Sequence, residues 1–161
     1  MNYKNIIIGI AVIAVIIVGV VLIAKPNQGD DRHTESTDKK EIMVYHSPTC
    51  GCCHIYVSYL KREGYEVEVE NMTDLSSIKE KYQIPNELGS CHTAVIEDYV
   101  VEGHVPAEAI EKLLAEKPDI GGIALPGMPG GSPGMGGIKR GPFSVHMIGH
   151  GGEDLGVFVE I

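Results

Sequence analysis

Three of the four cysteines in this chain fall within one short stretch, Thr49-Cys50-Gly51-Cys52-Cys53-His54. An apolar run from Ile42 to Tyr45 precedes it, and a helical pattern carrying Ile55, Tyr56, Tyr59 and Leu60 follows. The spacing therefore places three thiols where a strand gives way to a helix. The first N–H groups of a helix lack intrahelical partners and its dipole is positive there, so a thiolate at that point is stabilised. Thiolate is the form that binds metal and attacks disulfides. The chemistry on offer is that of a soft-metal site or of a redox site.

Both readings have residues behind them. Cys50 and Cys53 form a C-x-x-C pair, the dithiol spacing of thioredoxin-like oxidoreductases. Cys52 is a third thiol that a dithiol catalyst does not need, and several thiols at one helix end suit a d¹⁰ cation such as Cu(I) or Zn(II). An inert cluster is the third possibility. Met128 and Met135 lie in a Gly/Pro-rich stretch with no core to fill, where a thioether can serve as an uncharged ligand for Cu(I) or as part of a lid. His46 and His54 flank the motif, and His146 and His150 lie near the C-terminus; packing or solvent exposure is the simpler reading for these four.

The elements that must position these groups follow from periodicity. Glu41 to Tyr45 reads as a strand, and Ser47-Pro48 turns it into the cysteine helix, which Lys61-Arg62-Glu63-Gly64 ends with basic residues and a glycine. Tyr65 to Glu70 alternates strictly, as a half-buried strand does. Thr73-Asp74 can cap a helix carrying Leu75, Ile78 and Tyr82, closed before Pro85. Cys91 to Ile96 and Tyr99 to Gly103, joined at Glu97-Asp98, read as a tight hairpin. Pro106 opens a helix carrying Ile110, Leu113 and Leu114, and Pro118 ends it. Met43 reads as core, and Tyr56, Tyr59 and Tyr82 as packing residues. The order β-α-β-α-β-β-α is that of a thioredoxin-like α/β fold. Gly121 to Gly141 is too rich in Gly and Pro for a regular element. Phe143–Ile148 and Leu155–Ile161 then form a C-terminal β-hairpin that extends or caps the sheet.

Upstream, Ile6 to Ala24 contains no charged residue. At ~1.5 Å per residue it spans roughly 28 Å as a helix, close to the bilayer core. Residues 1–25 therefore read as one N-terminal transmembrane helix. A cleaved export signal is the rival, but its apolar region is usually about 7–15 residues, and Val20 to Lys25 offers no A-x-A cleavage pattern. Residues 26–40 are polar and aperiodic, a flexible linker in which His33 is a solvated tail residue. Residues 41–161 form the folded domain, expected on the extracytoplasmic side of the cell membrane. All 22 acidic residues but only the basic residues other than Lys4 and Lys25 lie beyond residue 25, so the exported part is strongly acidic and nucleic acid is excluded as a partner.

Four ordered motifs make the reading more specific. Tyr45-His46-Ser47-Pro48-Thr49-Cys50-Gly51-Cys52-Cys53, Ser90-Cys91-His92-Thr93-Ala94-Val95, Glu102-Gly103-His104-Val105-Pro106 and Pro126-Gly127-Met128-Pro129-Gly130-Gly131-Ser132-Pro133-Gly134-Met135 resemble the motifs of the CopG-type family. These are thioredoxin-like metal-binding proteins, long described as a domain of unknown function and associated with copper resistance. The resemblance covers roughly residues 42 to 148; the N-terminal span and the tail from Gly149 to Ile161 lie outside it. It implies an exported protein that binds copper through the cysteine motif, with redox chemistry as a further role. In thioredoxin-like folds a cis-proline usually precedes the third strand and faces the dithiol. Here His92-Thr93 stands at that place, which implies that Cys91 and His92 join the cluster as sulfur and nitrogen ligands, with His104 beside them.

The expectation is thus an extracytoplasmic Cu(I)-binding protein for copper homeostasis, with Cys50, Cys52, Cys53, Cys91, His92, His104, Met128 and Met135 as candidate ligands. More than one copper ion is expected from the density of ligands, zinc is the alternative metal, and copper-handling proteins are candidate partners. The competing expectation is a thiol-disulfide or copper-redox oxidoreductase in which Cys50 attacks and Cys53 resolves.

Overall fold

The computed structural model describes residues 40–161. The expected membrane span, the linker and His33 lie outside the described residues. No helix among the described residues is long and apolar enough to cross a membrane.

The described chain is a mixed α/β fold built on one seven-stranded sheet. Its elements are β1 (Glu41–His46), α1 (Gly51–Arg62), β2 (Glu66–Asn71), α2 (Ser76–Lys81), β3 (His92–Ile96), β4 (Tyr99–Glu102), α3 (Ala107–Glu116), β5 (Gly122–Ala124), β6 (Ser144–Ile148) and β7 (Asp154–Glu160). A single 3₁₀ turn, Asn86–Leu88, lies between α2 and β3. The expected order from the first strand to the third helix is therefore present. The strands lie in the order β2-β1-β3-β4-β5-β6-β7. β1 runs parallel to β2 and antiparallel to β3, with His46 opposite His92 at the end of the ladder.

Alternation along the strands gives the sheet two different faces. Ile42, Val44, Ala94, Ile96 and Val101 point to one face, where Tyr56, Val57 and Leu60 of α1 and Ile110, Leu113 and Leu114 of α3 cover them in the main core. Val100, Ala124 and Ile148 share a smaller cluster with Ile84 and Leu88. At ~25 cal/mol per Å² of buried apolar surface, the main core supplies most of the driving force for folding. α1 is oriented by it: Tyr56 and Leu60 are fully buried while His54, Ile55 and Ser58 face out.

Several local expectations need correction. The stretch from Gly121 to Gly141, read as a loop throughout, begins with β5, which pairs parallel to β4 and antiparallel to β6. Three residues are too few for a periodic signal, and the first of them is a glycine. That glycine is required by close approach, since a Cβ on Gly122 would lie 2.1 Å from the Val100 carbonyl oxygen. The C-terminal hairpin extends the sheet through β5 rather than capping it. β2 is an edge strand, and the alternation from Tyr65 buries one face only in part: Tyr65 is buried and Val67 packs against the main core, but Val69 is 39% exposed. Met43 is only half-buried, and α2 stops at Lys81, with Asp74 accepting from the Ser76 backbone N–H at 2.9 Å. Tyr56 and Tyr59 do pack, with the Tyr56 hydroxyl donating to the Val105 carbonyl and the Tyr59 hydroxyl accepting from the Ala107 N–H. Tyr82 packs against the smaller cluster.

Because the obstruction at Gly122 is backbone and cannot rotate away, Gly122→Ala is expected to cost about 1–3 kcal/mol, as overpacking in a filled core does. Urea unfolding of parent and variant measures it, and equal midpoints would show that β4 and β5 separate without penalty.

Candidate metal and redox centre

The site begins at the turn between β1 and α1. The Ser47 carbonyl accepts from the Cys50 N–H (3.0 Å), and the Ser47 hydroxyl accepts from the Thr49 N–H (3.3 Å), which turns the chain sharply into the helix. Cys50 occupies the N-cap position with extended backbone, and no side chain caps the helix. No acidic residue stands in the first turn. The positive end of α1 is thus left to the sulfurs of Cys50, Cys52 and Cys53.

The fourth sulfur arrives from the other side of the fold. Cys91 immediately precedes β3, and its Sγ lies 3.4 Å from Cys53 Sγ and 3.7 Å from Cys52 Sγ. Cys52 Sγ is in turn 3.5 Å from Cys50 Sγ. The four sulfurs all lie within 4.8 Å of one another. Cys50 and Cys53 are joined as a disulfide, with Cα atoms 5.3 Å apart, while Cys52 and Cys91 are free thiols. This is the C-x-x-C pair of the redox reading in its oxidised form. Cys53 is fully buried, and Cys50 is partly accessible.

Two histidines extend the sulfur set. His104 Nε2 lies 3.5 Å and His92 Nδ1 3.6 Å from Cys91 Sγ, and Cys91, His92 and His104 form a second group of convergent donors. His104 Nδ1 donates to the Pro133 carbonyl at 2.6 Å, which leaves the Nε2 lone pair directed at the sulfur. A hydrogen bond at one ring nitrogen that fixes the other for ligation is the usual support of a metal-binding imidazole. His92 is buried, packs against Tyr56 with ring centroids 4.6 Å apart and against His104 at 4.9 Å, and its Nε2 has no hydrogen-bond partner. The Tyr56 ring thus floors the site.

Burial sets the charges. Burial first, then the neighbouring Cys52 thiol, pushes the Cys91 thiol up to about 12. Burial, with His104 beside it, brings His92 down to about 3, and burial lowers His104 as well, against the opposing pull of the Pro133 carbonyl. These three groups are therefore neutral near pH 7. A cation entering here must displace the Cys91 proton, and its ligands would be the Cys91 sulfur and the two neutral imidazoles of His92 and His104 with the disulfide closed, or four sulfurs with it open. That donor set fits Cu(I) or Zn(II).

The methionines are placed less directly. Gly134 is left-handed at φ 83°, and a Cβ there would come within 2.9 Å of the Cys52 carbonyl oxygen and the Tyr56 nitrogen. The glycine thus lets the loop lie on the first turn of α1, with Met135 the next residue in the chain. Met128, left-handed at φ 45°, stands earlier in the same loop. Both are partly buried. His46 is fully buried, with Nδ1 on the Ser47 carbonyl at 2.7 Å and Nε2 unpartnered. Exposed His54 bonds the Pro48 carbonyl at 3.1 Å, and His146 and His150 pair with Asp154 and Asp119 away from the donor groups. The burial of His46 carried no sequence signal beyond its place in β1.

His104 couples sulfur to loop, so His104→Ala is expected to lower hydrogen-exchange protection of the Gly131, Ser132 and Met135 amides roughly fivefold, the effect of losing one hydrogen bond of about 1 kcal/mol. Unchanged protection would show that the loop is held by its own turns alone.

Comparison with known proteins agrees with this geometry. The family model described as "Protein of unknown function, DUF411" matches residues 88–135, which hold Cys91, His92, His104, Met128 and Met135 but not the Cys50–Cys53 motif. No curated protein matches the chain. Two solved structures, forms 1 and 2 of the copper resistance protein CopG, each match with a TM-score of 0.69 and 39% identity, covering 76% of this chain and 98% of that one. Identity at that level over nearly the whole of the solved chain carries the motif resemblance to its conclusion, and the chain belongs to the CopG family.

Proposed function

We propose that this protein is a membrane-anchored, extracytoplasmic Cu(I)-binding protein of copper homeostasis, with residues 1–25 as the anchor, 26–40 as a linker and 41–161 as a thioredoxin-like domain. Cys50, Cys52, Cys53 and Cys91 are the principal ligands, His92 and His104 contribute nitrogen, and Met128 and Met135 close over the metal. The observation that carries the reading is the convergence of four sulfurs within 4.8 Å from two segments of chain. Soft thiolates at a helix N-terminus, with neutral imidazoles behind them, match the preferences of a d¹⁰ cation. The copper resistance proteins it resembles favour copper over zinc as that cation. Sulfurs this close can bridge metal ions, so more than one copper per chain is expected. Copper is cargo, received from and passed to other copper-handling proteins.

The Cys50–Cys53 bridge favours a second reading, an oxidoreductase. In it Cys50 thiolate attacks a substrate disulfide, Cys53 displaces the mixed disulfide, and the substrate leaves with two thiols while the enzyme keeps the sulfur–sulfur bond. Cys52 separates the two readings, because exchange does not use it and metal binding does.

Anaerobic Cu(I) titration of the reduced, full-length protein in detergent, competed by a chelator of known affinity and followed by metal analysis after desalting, tests the proposal. Retention of one or more copper ions is expected, lost in Cys50→Ser and weakened at least tenfold in Cys52→Ala and in the disulfide form. Failure to retain copper, together with normal disulfide exchange by Cys52→Ala, would make the protein an oxidoreductase. Retention of zinc instead, with unfolding on chelation, would make the site a structural staple.

A further inference from the structure

One buried ionisable group plays no part in the reading above. Glu102, the last residue of β4, is fully buried, on the face of the sheet opposite Val101 and the main core. Its Oε1 accepts from the Ser90 N–H at 2.5 Å and from the Lys79 ammonium of α2, and its Oε2 accepts from the Thr93 hydroxyl at 2.7 Å. Lys79 Nζ also donates to Thr93 Oγ1 at 3.3 Å. The Ser90 hydroxyl donates to the His92 carbonyl (2.8 Å) and accepts from the His92 N–H (3.4 Å). Apart from Glu102 itself and Lys79, every group in this network lies within two residues of Cys91.

Sheet register explains why a side chain is needed there. The β3–β4 ladder ends with Thr93 opposite Glu102, so Ser90, Cys91 and His92 have no partner strand on the β4 side. The Glu102 carboxylate supplies the acceptor that a further backbone rung would have given to the Ser90 N–H. The next residue reinforces the contact: Gly103 is left-handed at φ 80°, and a Cβ there would come within 2.9 Å of the Leu125 carbonyl and 3.4 Å of Ser90 Cβ. A buried carboxylate is poorly tolerated unless its lone pairs are taken, and a pair of this kind is better understood as fixing one arrangement than as adding stability.

We infer that Glu102 is a positioning residue for Cys91. By holding Ser90 and Thr93 from the far face of the sheet, it sets Cys91 Sγ 3.7 Å from Cys52 Sγ and 3.4 Å from Cys53 Sγ, and so completes the sulfur set. The role in metal binding rests on the copper reading above; the placement of the thiol does not.

The test uses the full-length protein in detergent with Cys50→Ser and Cys53→Ser, so that Cys52 and Cys91 are its only thiols. Diamide takes the two thiol hydrogens as the Cys52–Cys91 bond forms, and mass spectrometry follows the rate. Glu102→Met removes the acceptor and the buried charge at similar length, and is expected to slow cross-linking at least tenfold. Glu102→Gln keeps an oxygen for the Ser90 N–H and is expected to stay within threefold of its parent. Lys79→Met with Glu102→Met removes both charges and replaces the single variant if circular dichroism shows that it has not folded. Equal rates in the parent and Glu102→Met would overturn the inference. So would a Glu102→Gln rate as slow as that of Glu102→Met, since the ion pair to α2 would then be what matters. In the four-cysteine protein, Glu102→Met should weaken Cu(I) ten- to a hundredfold, as loss of a supporting partner does, and should have no further effect in Cys91→Ser. An equal loss in Cys91→Ser would show general loosening instead. Because cross-linking needs no metal, failure of the copper reading leaves its result standing.

Discussion

Antiparallel pairing of β1 with β3 is the constraint on which the site depends. His46 and His92 close that ladder, so the chain leaving β1 toward Cys50 and the chain entering β3 from Cys91 lie at one end of the sheet. Segments far apart in sequence are brought together by backbone hydrogen bonds that the strands must make in any case. A shift of one residue in this register would turn His92 to the other face and carry Cys91 away from α1. The register is secured by burial, since Val44 and Ala94, opposite one another, are both completely enclosed.

Within that frame the chemistry is set by two opposing electrostatic environments. The end of α1 offers uncapped N–H groups to three sulfurs, which favours negative charge. The floor made by Tyr56, His92 and His104 is dry, and it keeps Cys91 protonated and both imidazoles neutral. Cys91, His92 and His104 thus carry little charge, and a cation bound among them would have to displace the Cys91 proton. Closing or opening the Cys50–Cys53 bond changes the number of available sulfurs without requiring the sheet to move.

The glycine-rich segment after β5 belongs to the same design. Its irregularity lets it follow the first turn of α1, where Gly134 meets the Cys52 carbonyl more closely than any side chain would allow. His104 joins it to the cluster, bonding Pro133 through one ring nitrogen and facing Cys91 with the other. Loop, imidazole and sulfur are therefore linked through a single rigid ring.

Much of this was legible in the residues themselves. The spacing of Cys50, Cys52 and Cys53, the helical stripe of Tyr56 and Leu60, and the strands containing Val44, Ala94 and Val101 are local patterns that fix element type and order. Local pattern also supplied the candidate ligands, since thiol and imidazole chemistry belongs to the residue whatever surrounds it. Convergence was different in kind. That Cys91 lies against Cys53, that three-residue β5 bridges the hairpin to the sheet, that His46 is enclosed, and that Glu102 reaches Ser90 all depend on strand register and on which face each residue presents. Such contacts join positions distant in sequence, and no periodicity encodes them; they arise only when the sheet forms and its two faces acquire different neighbours.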